Sequence, residues 1–433
     1  MSIGLITILL FGGLLTLLLL GIPVTFSLGS ITVVLTYLVE GPDSLYTVAT
    51  TTYQQITSPT LMTIPLFLIM GNFLVKSGIS ELMYNGLSYW LSGLRGGLAI
   101  VSIGVCVSLA MCGGFGPGIL TMGLVAVPAM LKHGYSKNIA LGSVMAGGVL
   151  GEIIPPAIIM IIFAFIARIS IGKLFFGGFI PGLLLACLYI IFIVITGIIN
   201  PLALPKTTVD VSWSMRFRVL KEITLPALLV LLVLGSIFKG IATPTEAAAV
   251  GALGSIIICA IYGKLSKEVI KESCLETLKI TGMALWILIP ATLLGVFYVS
   301  VGAQDMIMEL IDSLSVNRYV ILFCMQIILL IFGMFMDDYA VVTICAPIML
   351  PIATLLGFDP IWFSILFILN MQMAYMTPPF GWALIMMKAV APPDVTTRDI
   401  WKSIPPFVLI QFFVLLLVMI FPALATWLPN RMF

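Results

Sequence analysis

Four points along the chain set helix-breaking residues beside polar or acidic ones inside runs that are otherwise apolar. They are Gly113-Gly114-Phe115-Gly116-Pro117-Gly118, Gly151-Glu152-Ile153-Ile154-Pro155-Pro156, Asp337-Asp338, and the stretch from Asn370 to Thr377-Pro378-Pro379-Phe380-Gly381. Proline has no N–H and its ring collides with the preceding turn, so a Pro-Pro pair frees carbonyls about one turn upstream. Freed carbonyls can coordinate sodium. The helix that restarts beyond the pair presents unpaired N–H groups and the positive end of a dipole, which suit a carboxylate or other anion. One break thus serves a cation and an anion. A charge at membrane depth costs roughly 2.5 to 3.5 kcal/mol even on insertion scales, so it normally faces a cavity or a partner. Asp337 is the leading candidate for a cation ligand. Asp338 fits either this cavity or the outer water, and Glu246, in Thr243-Pro244-Thr245-Glu246, fits either a site or a helix-capping acid. Glu152 suits binding, proton carriage or a neutral role. His133 beside Lys132 reads as a solvated loop residue, and Met371, Met373, Tyr375, Met376, Phe380 and Trp382 as packing.

The elements that position these residues follow from composition. Of 433 residues, 61% are hydrophobic and 9% charged, against about 25% charged in an ordinary soluble domain, so the chain cannot cover a water-facing surface and its solvent is lipid. A net charge of +2 without a basic run excludes a nucleic-acid surface. The 7 cysteines show no metal or disulfide spacing. A crossing needs roughly 20 apolar residues, and ten stretches qualify: 3–21, 22–39, 61–75, 137–167, 174–197, 223–238, 243–262, 277–300, 360–388 and 404–428. The first lacks a basic leader region and a small-residue cleavage site and reads as a retained span. Residues 97–131 and 318–356 break at the glycine cluster and at the aspartate pair, leaving half-helices too short to cross, and both read as re-entrant hairpins. Most of the 20 Lys/Arg fall in loops that are cytoplasmic if both termini lie outside, whereas Arg168, Lys173, Lys239, Arg318 and Arg431 fall opposite.

The breakers recur in order. Pro128, Gly134 and Pro155-Pro156 fall on Pro351, Gly357 and Pro378-Pro379 at a single offset, while Pro65, Gly71, Phe73 and Gly78 fall on Pro290, Gly295, Phe297 and Gly302 at nearly the same one. Each half then holds five spans and one hairpin, and an odd number of crossings inserts the second half upside down. Amphipathic stretches before the hairpins, residues 79–94 and 303–317, suit helices lying along the interface. The expected fold is an all-α polytopic membrane protein of two inverted-topology repeats, ten spans plus two re-entrant helical hairpins. An enzyme is disfavoured because Asp337 and Asp338 are adjacent and no second element offers an intramembrane Asp to complete a dyad. A channel is disfavoured because paired breaks build an occluded midplane site.

Ile64-Pro65-Leu66-Phe67, Thr243-Pro244-Thr245-Glu246-Ala247, Gly357-Phe358-Asp359-Pro360 and Thr377-Pro378-Pro379 with Gly381 resemble the large membrane (M) subunit of tripartite ATP-independent periplasmic (TRAP) transporters over the whole chain. The resemblance implies an ion-transporter-superfamily-like elevator in the bacterial inner membrane, not an enzyme. It implies sodium-coupled uptake of a small organic anion, a carboxylate or sulfonate, delivered by a periplasmic substrate-binding protein, with a small four-helix membrane subunit as partner and no organic cofactor. Residues 97–167 and 318–388 would form the transport domain, and 1–96, 168–317 and 389–433 the scaffold. The family's sodium positions carry over to Asp337, Asn370, Thr377 and the backbone at Gly151. At the first tip Gly113, Gly114 and Gly116 stand where many members have serine, and Ala157 likewise follows the first Pro-Pro, so carbonyls supply more of that shell. The anion falls to Gly118, Glu152, Pro155, Pro156, Pro378, Pro379 and Gly381. A self-sufficient sodium/dicarboxylate elevator symporter shares all of this except the binding protein.

Overall fold

The computed structural model describes residues 2–432 apart from 92, 114, 207–212, 304–305, 307–308 and 310–315. Among these residues the regular structure is helical, and β pairing is confined to an isolated bridge between Arg95 and Lys206. Seven of the helices are long and apolar enough to cross a membrane. The chain opens with α1 (Ile3–Leu19), α2 (Val24–Glu40) and α3 (Ser44–Ile56). The last of these was not expected, because its Thr, Tyr and Gln content breaks the apolar pattern. A 3-10 turn leads into α4 (Thr63–Lys76), and α5 (Ile79–Trp90) occupies the first expected interfacial stretch. Most of the second, residues 303–317, lies outside the described residues.

The two expected hairpins are α6 (Gly97–Gly113) with α7 (Phe115–Lys132), and, later in the chain, α14 (Arg318–Phe335) with α15 (Asp338–Leu355). Their arms correct the sequence reading. Each is 17 or 18 residues long, which at a helical rise spans about 27 Å, and α14 and α15 are long and apolar enough to cross. Hairpins result because Gly114 alone separates the first pair and Met336 with Asp337 the second, and the arms pack against each other. The first turning point is also shorter than expected, since Gly116, Pro117 and Gly118 already lie in the opening turn of α7. A proline is tolerated there because the N–H it lacks would have no helical partner.

The expected spans 137–167 and 360–388 are each interrupted, as their Pro-Pro pairs require. The first gives α8 (Lys137–Leu150) and α9 (Ile158–Ala167). The second, α16 (Pro360–Tyr375) and α17 (Trp382–Val390), repeats the pattern, and both Pro-Pro bonds are cis. Isolated prolines, two of them in α15 at Pro347 and Pro351 and one each inside α7 and the intervening α10 (Ile171–Ile199), α11 (Trp213–Phe238) and α13 (Lys267–Ser300), leave those helices continuous. Neighbouring helices and local backbone adjustment make good one missing bond more readily than two in succession.

Packing is reciprocal between the halves. The outer arm of each hairpin lies on the first part of its own broken helix, α6 on α8 and α14 on α16. Each inner arm lies on the second part of the other half's broken helix, α7 on α17 and α15 on α9. A separate group is tied to α4. Thr63 meets Thr245 of α12 (Pro244–Ile261) at 2.6 Å, and on α13 Thr277 accepts from Asn72 at 3.0 Å while Glu272 pairs with Lys76 at 3.5 Å.

Helix α10 is packed tightly on the first break. A Cβ on Gly178 would stand 2.5 Å from the Ile153 carbonyl oxygen, and one on Gly182 would stand 2.7 Å from Ile154. The C-terminal α18 (Thr397–Ser403) and α19 (Pro405–Ile420) are held to α8 at two levels. Lys137 bonds the Asp394 carbonyl at 2.6 Å and Asp399 at 3.3 Å, and Gly142 gives room to the Phe407 ring. Gly178→Ala is therefore expected to lower the thermal unfolding midpoint by an overpacking cost of about 1–3 kcal/mol. Gly235→Ala, where a Cβ meets nothing within 4 Å, is the control. Equal midpoints for the two variants would contradict this packing.

Candidate functional site

Several helix starts elsewhere in the chain are capped by side chains, while others, such as α1 at Ser2, α3 at Asp43 and α8 at Ser136, carry no side-chain cap. Asp359 accepts from Trp362 N at 2.9 Å ahead of α16, Ser266 from Val269 N at 3.1 Å ahead of α13, and Thr243 with Glu246 forms a capping box on α12. Of the two readings left open for Glu246, the capping one is realised. His133 is exposed, with Nδ1 2.8 Å from the Ala129 carbonyl, as a solvated loop-edge residue would be.

The first break is built differently. Every residue from 151 to 160 is buried. Gly151 ends α8 and donates to the Gly148 carbonyl at 3.2 Å. Pro155 and Pro156 cannot donate to the carbonyls one turn earlier, those of Gly151 and Glu152. Beyond them α9 begins at Ala157 with no side-chain cap, although its first turn, Ile158 to Met160, is at most 4% exposed. A buried helix start without a cap leaves N–H groups that water cannot reach and that call for a ligand. Glu152 is 2% exposed and both of its carboxyl oxygens lack a hydrogen-bond partner.

At the second break Asn370 is buried, and its amide donates to Gln326 of α14 twice, to the carbonyl at 2.7 Å and to Oε1 at 2.8 Å. Its own Oδ1 is left unpaired, as are Gln326 Nε2 and both amide atoms of Gln372. Thr377 is half-buried, and its hydroxyl donates to the Met373 carbonyl at 2.6 Å. Pro378 and Pro379 deprive the Ala374 and Tyr375 carbonyls of helical donors. The first is recovered by Thr377 N at 3.0 Å. Gly381 starts α17 because a Cβ there would run into the Tyr375 carbonyl and stand 2.9 Å from that of Thr377. The two breaks differ in access, since Pro379 and Phe380 are exposed whereas the first break is closed.

The second tip joins them. Asp337 is the N-cap of α15 and accepts from Ala340 N at 3.2 Å, which leaves Oδ2 for another partner. Asp338, half-buried, lies within electrostatic reach of Glu152. Tyr375 lies within reach of Glu152, Asp337, Asp338 and Tyr339. Of the readings left open for Asp338, it is the inward one that the structure shows. Glu152, on a separate element, is the acid within that reach. At the first tip Gly113 closes α6 and Gly114 lies outside the described residues. A Cβ on Gly116 would meet Met386 of α17 at 3.2 Å, and the Gly118 carbonyl accepts a weak bond from Cys106 Sγ at 3.7 Å. Gln326, Gln372 and Tyr339 were missed in the sequence, although a glutamine inside an apolar helix is itself a signal. Among the described residues no three His, Cys, Asp or Glu side chains gather as for a tightly held metal.

A family model described as the DctM component of the tripartite ATP-independent periplasmic transporter matches residues 11–424. The chain belongs to that family. It is therefore a transporter permease and multi-pass membrane protein, not an enzyme. It is 32% identical to the C4-dicarboxylate TRAP transporter large permease protein DctM of Vibrio cholerae, over 99% of this chain and 98% of that one. It is 30% identical to the isethionate TRAP transporter permease protein DctMQ of Oleidesulfovibrio alaskensis, covering 96% of this chain and 65% of the relative. Among solved structures, the Alcanivorax borkumensis YdaH transporter superposes with a TM-score of 0.67 at 14% identity, covering 94% of this chain and 97% of that one, a likeness of fold alone.

In this permease Asn370→Leu removes both bonds to Gln326 and strands a buried Oε1. The expected loss is about 1–3 kcal/mol in unfolding free energy, read as a lower thermal midpoint, with Gln326→Met costing less because it removes the stranded group. The opposite order would contradict the hydrogen-bond assignment.

Proposed function

We propose that the chain is the large membrane subunit of a sodium-coupled importer of a small organic anion, working by an elevator motion. The observation that carries this reading is the buried, uncapped start of α9 behind Pro155-Pro156, a half-helix on which α15 packs, together with the unpaired Asn370 Oδ1 at the second break. The anion sits on α9, around Glu152, Pro155 and Pro156, and against Pro378, Pro379 and Gly381, with Gly118 closing from the first hairpin. Sodium is held by Asp337 Oδ2, Asn370 Oδ1, the Thr377 hydroxyl and the carbonyl of Gly151, with backbone at Gly113, Gly114 and Gly116 completing a first-half shell. A coordination set of one carboxylate with carbonyl and amide oxygens suits a singly charged hard cation.

The matched breakers and the reciprocal packing support two inverted-topology repeats, ten spans with two re-entrant hairpins, inserted in a bacterial inner membrane with both termini periplasmic. Hairpins and broken helices move as one body. That body is residues 97–167 and 318–388, against which α10 is seated at the first break and to which α18 and α19 are pinned at α8. The group around α4, α12 and α13 remains as scaffold. A cavity of ≈ 540 Å³ between α13, α9 and α15, lined by Arg168, Thr292, Ser300, Pro347 and Pro351, lies at their boundary. The carboxylate and sulfonate relatives support a carboxylate or sulfonate as cargo, and the longer DctMQ relative supports a small membrane subunit beside this chain. A periplasmic binding protein delivers the cargo.

Replacing sodium by potassium or choline in liposomes containing the three components, at fixed pH and voltage, is expected to abolish uptake. In the same assay Asp337→Asn is expected to lower apparent sodium affinity about tenfold or more, since the cation loses a full charge while asparagine still caps α15. Undiminished uptake without sodium would overturn the coupling, and an unchanged sodium dependence in the variant would remove Asp337 from the site.

A further inference from the structure

Among the described residues the backbone turns to positive φ at ten glycines and at one other residue, Arg168. Its φ of 54° closes α9, where the N–H of Ile169 returns to the Ala164 carbonyl at 3.0 Å and that of Arg168 to Phe165 at 3.3 Å. Glycine is the usual residue at such a helix end, because a Cβ strains left-handed backbone. A cation does favour the end of a helix, but Ala167, one position earlier, would offer that place with ordinary backbone. An arginine held in a strained conformation points to a role beyond closing the helix.

Arg168 lines the cavity of ≈ 540 Å³ between α9, α13 and α15, and among the described residues it is the one charged side chain in that wall. Elsewhere arginines are engaged, Arg95 with the Gly197 carbonyl, Arg318 with that of Leu356 and Arg431 over the Trp427 ring. The guanidinium of Arg168 is exposed and forms no ion pair or hydrogen bond among the described residues. One acid reaches the rim, Glu40, and it is bonded to the Ser300 hydroxyl. Thr292, in the wall, keeps a buried hydroxyl without a partner, a donor to spare.

The seat assigned to the anion is the start of α9, and the cavity lies at its other end, 10 residues or about 15 Å away. That end carries the negative pole of the helix dipole, so an anion approaching α9 from this side would be repelled. Arg168 reverses the sign. It is also among the few Lys/Arg that fall opposite the basic loops, the side from which a delivered cargo arrives.

We propose that the cavity is an outer anion site, in which Arg168 and Thr292 take the carboxylate or sulfonate of the cargo before it reaches the start of α9. This rests on the organic-anion reading and adds to it an earlier site. Arg168 then governs capture of the cargo and not the movement that follows.

The test has two arms. In the first, Val299→Cys, in the cavity wall and 54% exposed as valine, is introduced into the reconstituted full-length chain, and labelling of the unsubstituted chain is subtracted. Two methanethiosulfonate reagents, one ending in a sulfonate and one in a trimethylammonium, are compared, each rate divided by that with a free thiol in solution. The sulfonate reagent is expected to be favoured about fivefold or more. Arg168→Gly should bring the ratio to about one, and Arg168→Lys should retain the preference. Val296→Cys, on the same wall, serves if the first variant is unstable. In the second arm, uptake of succinate and isethionate is followed in liposomes containing the three components. Arg168→Gly is expected to raise the apparent KM of whichever probe is carried about tenfold, with kcat kept. Its unfolding midpoint should be unchanged or higher, since glycine relieves the backbone. A structural role alone would instead lower the midpoint, or kcat with KM unchanged. No preference for the sulfonate reagent, a preference surviving Arg168→Gly, or an unchanged KM would overturn the proposal. Uptake of neither probe by the unsubstituted chain, with the labelling preference present and lost in Arg168→Gly, would count against the cargo reading and for the anion site.

Discussion

In hydrocarbon a backbone N–H or C=O without a partner costs several kcal/mol, since no water can take the place of the missing bond. A membrane helix can therefore be cut only where protein surrounds the cut and something else completes its bonding. The first break meets the first condition through α10. Two of its glycines let that helix approach the Ile153 carbonyl and the Ile154 side chain more closely than a Cβ allows. The second condition is met only in part by the chain itself, because neither Ala157 nor Gly381 supplies a side-chain cap to the helix it starts.

From this one constraint much of the remaining architecture follows. The hairpins are placed to close the breaks, each inner arm packing on the half-helix of the opposite repeat, so both halves are needed to bury either cut. The reciprocity also explains why one body rather than two separate sites results: α9 cannot part from α15, nor α17 from α7, without exposing a broken backbone. Close contact at glycines and a few charged ties such as Lys137 with Asp399 then extend the body to its neighbours.

Much of this was legible in the sequence, and the limits have physical causes. Pro-Pro pairs announce a break because two successive residues cannot donate, and their matched order reveals the repeat. Hairpin tips were less legible. A glycine-rich run such as 113–118 is compatible with a loop or with a helix restarting at once, and the choice depends on tertiary packing around Gly116 that no local pattern encodes. Helix α3 was missed because its polar Thr and Gln content fits an interfacial helix as well as a loop. The convergence of Glu152 on Asp338 could not be read at all, since it depends on how two distant elements meet. Gln326 was available as a signal, a lone amide in an apolar helix, and its partner Asn370 was already singled out.

The central claim is that the uncapped starts of α9 and α17 receive the ligand. Hydrogen–deuterium exchange of the reconstituted chain, followed in peptides covering residues 151–160 and 376–385, addresses it most directly. Sodium and a bound cargo together should slow exchange of the first-turn amides of both half-helices, with potassium in place of sodium giving little protection. Protection confined to other segments, or exchange in these peptides indifferent to sodium and cargo, would contradict it.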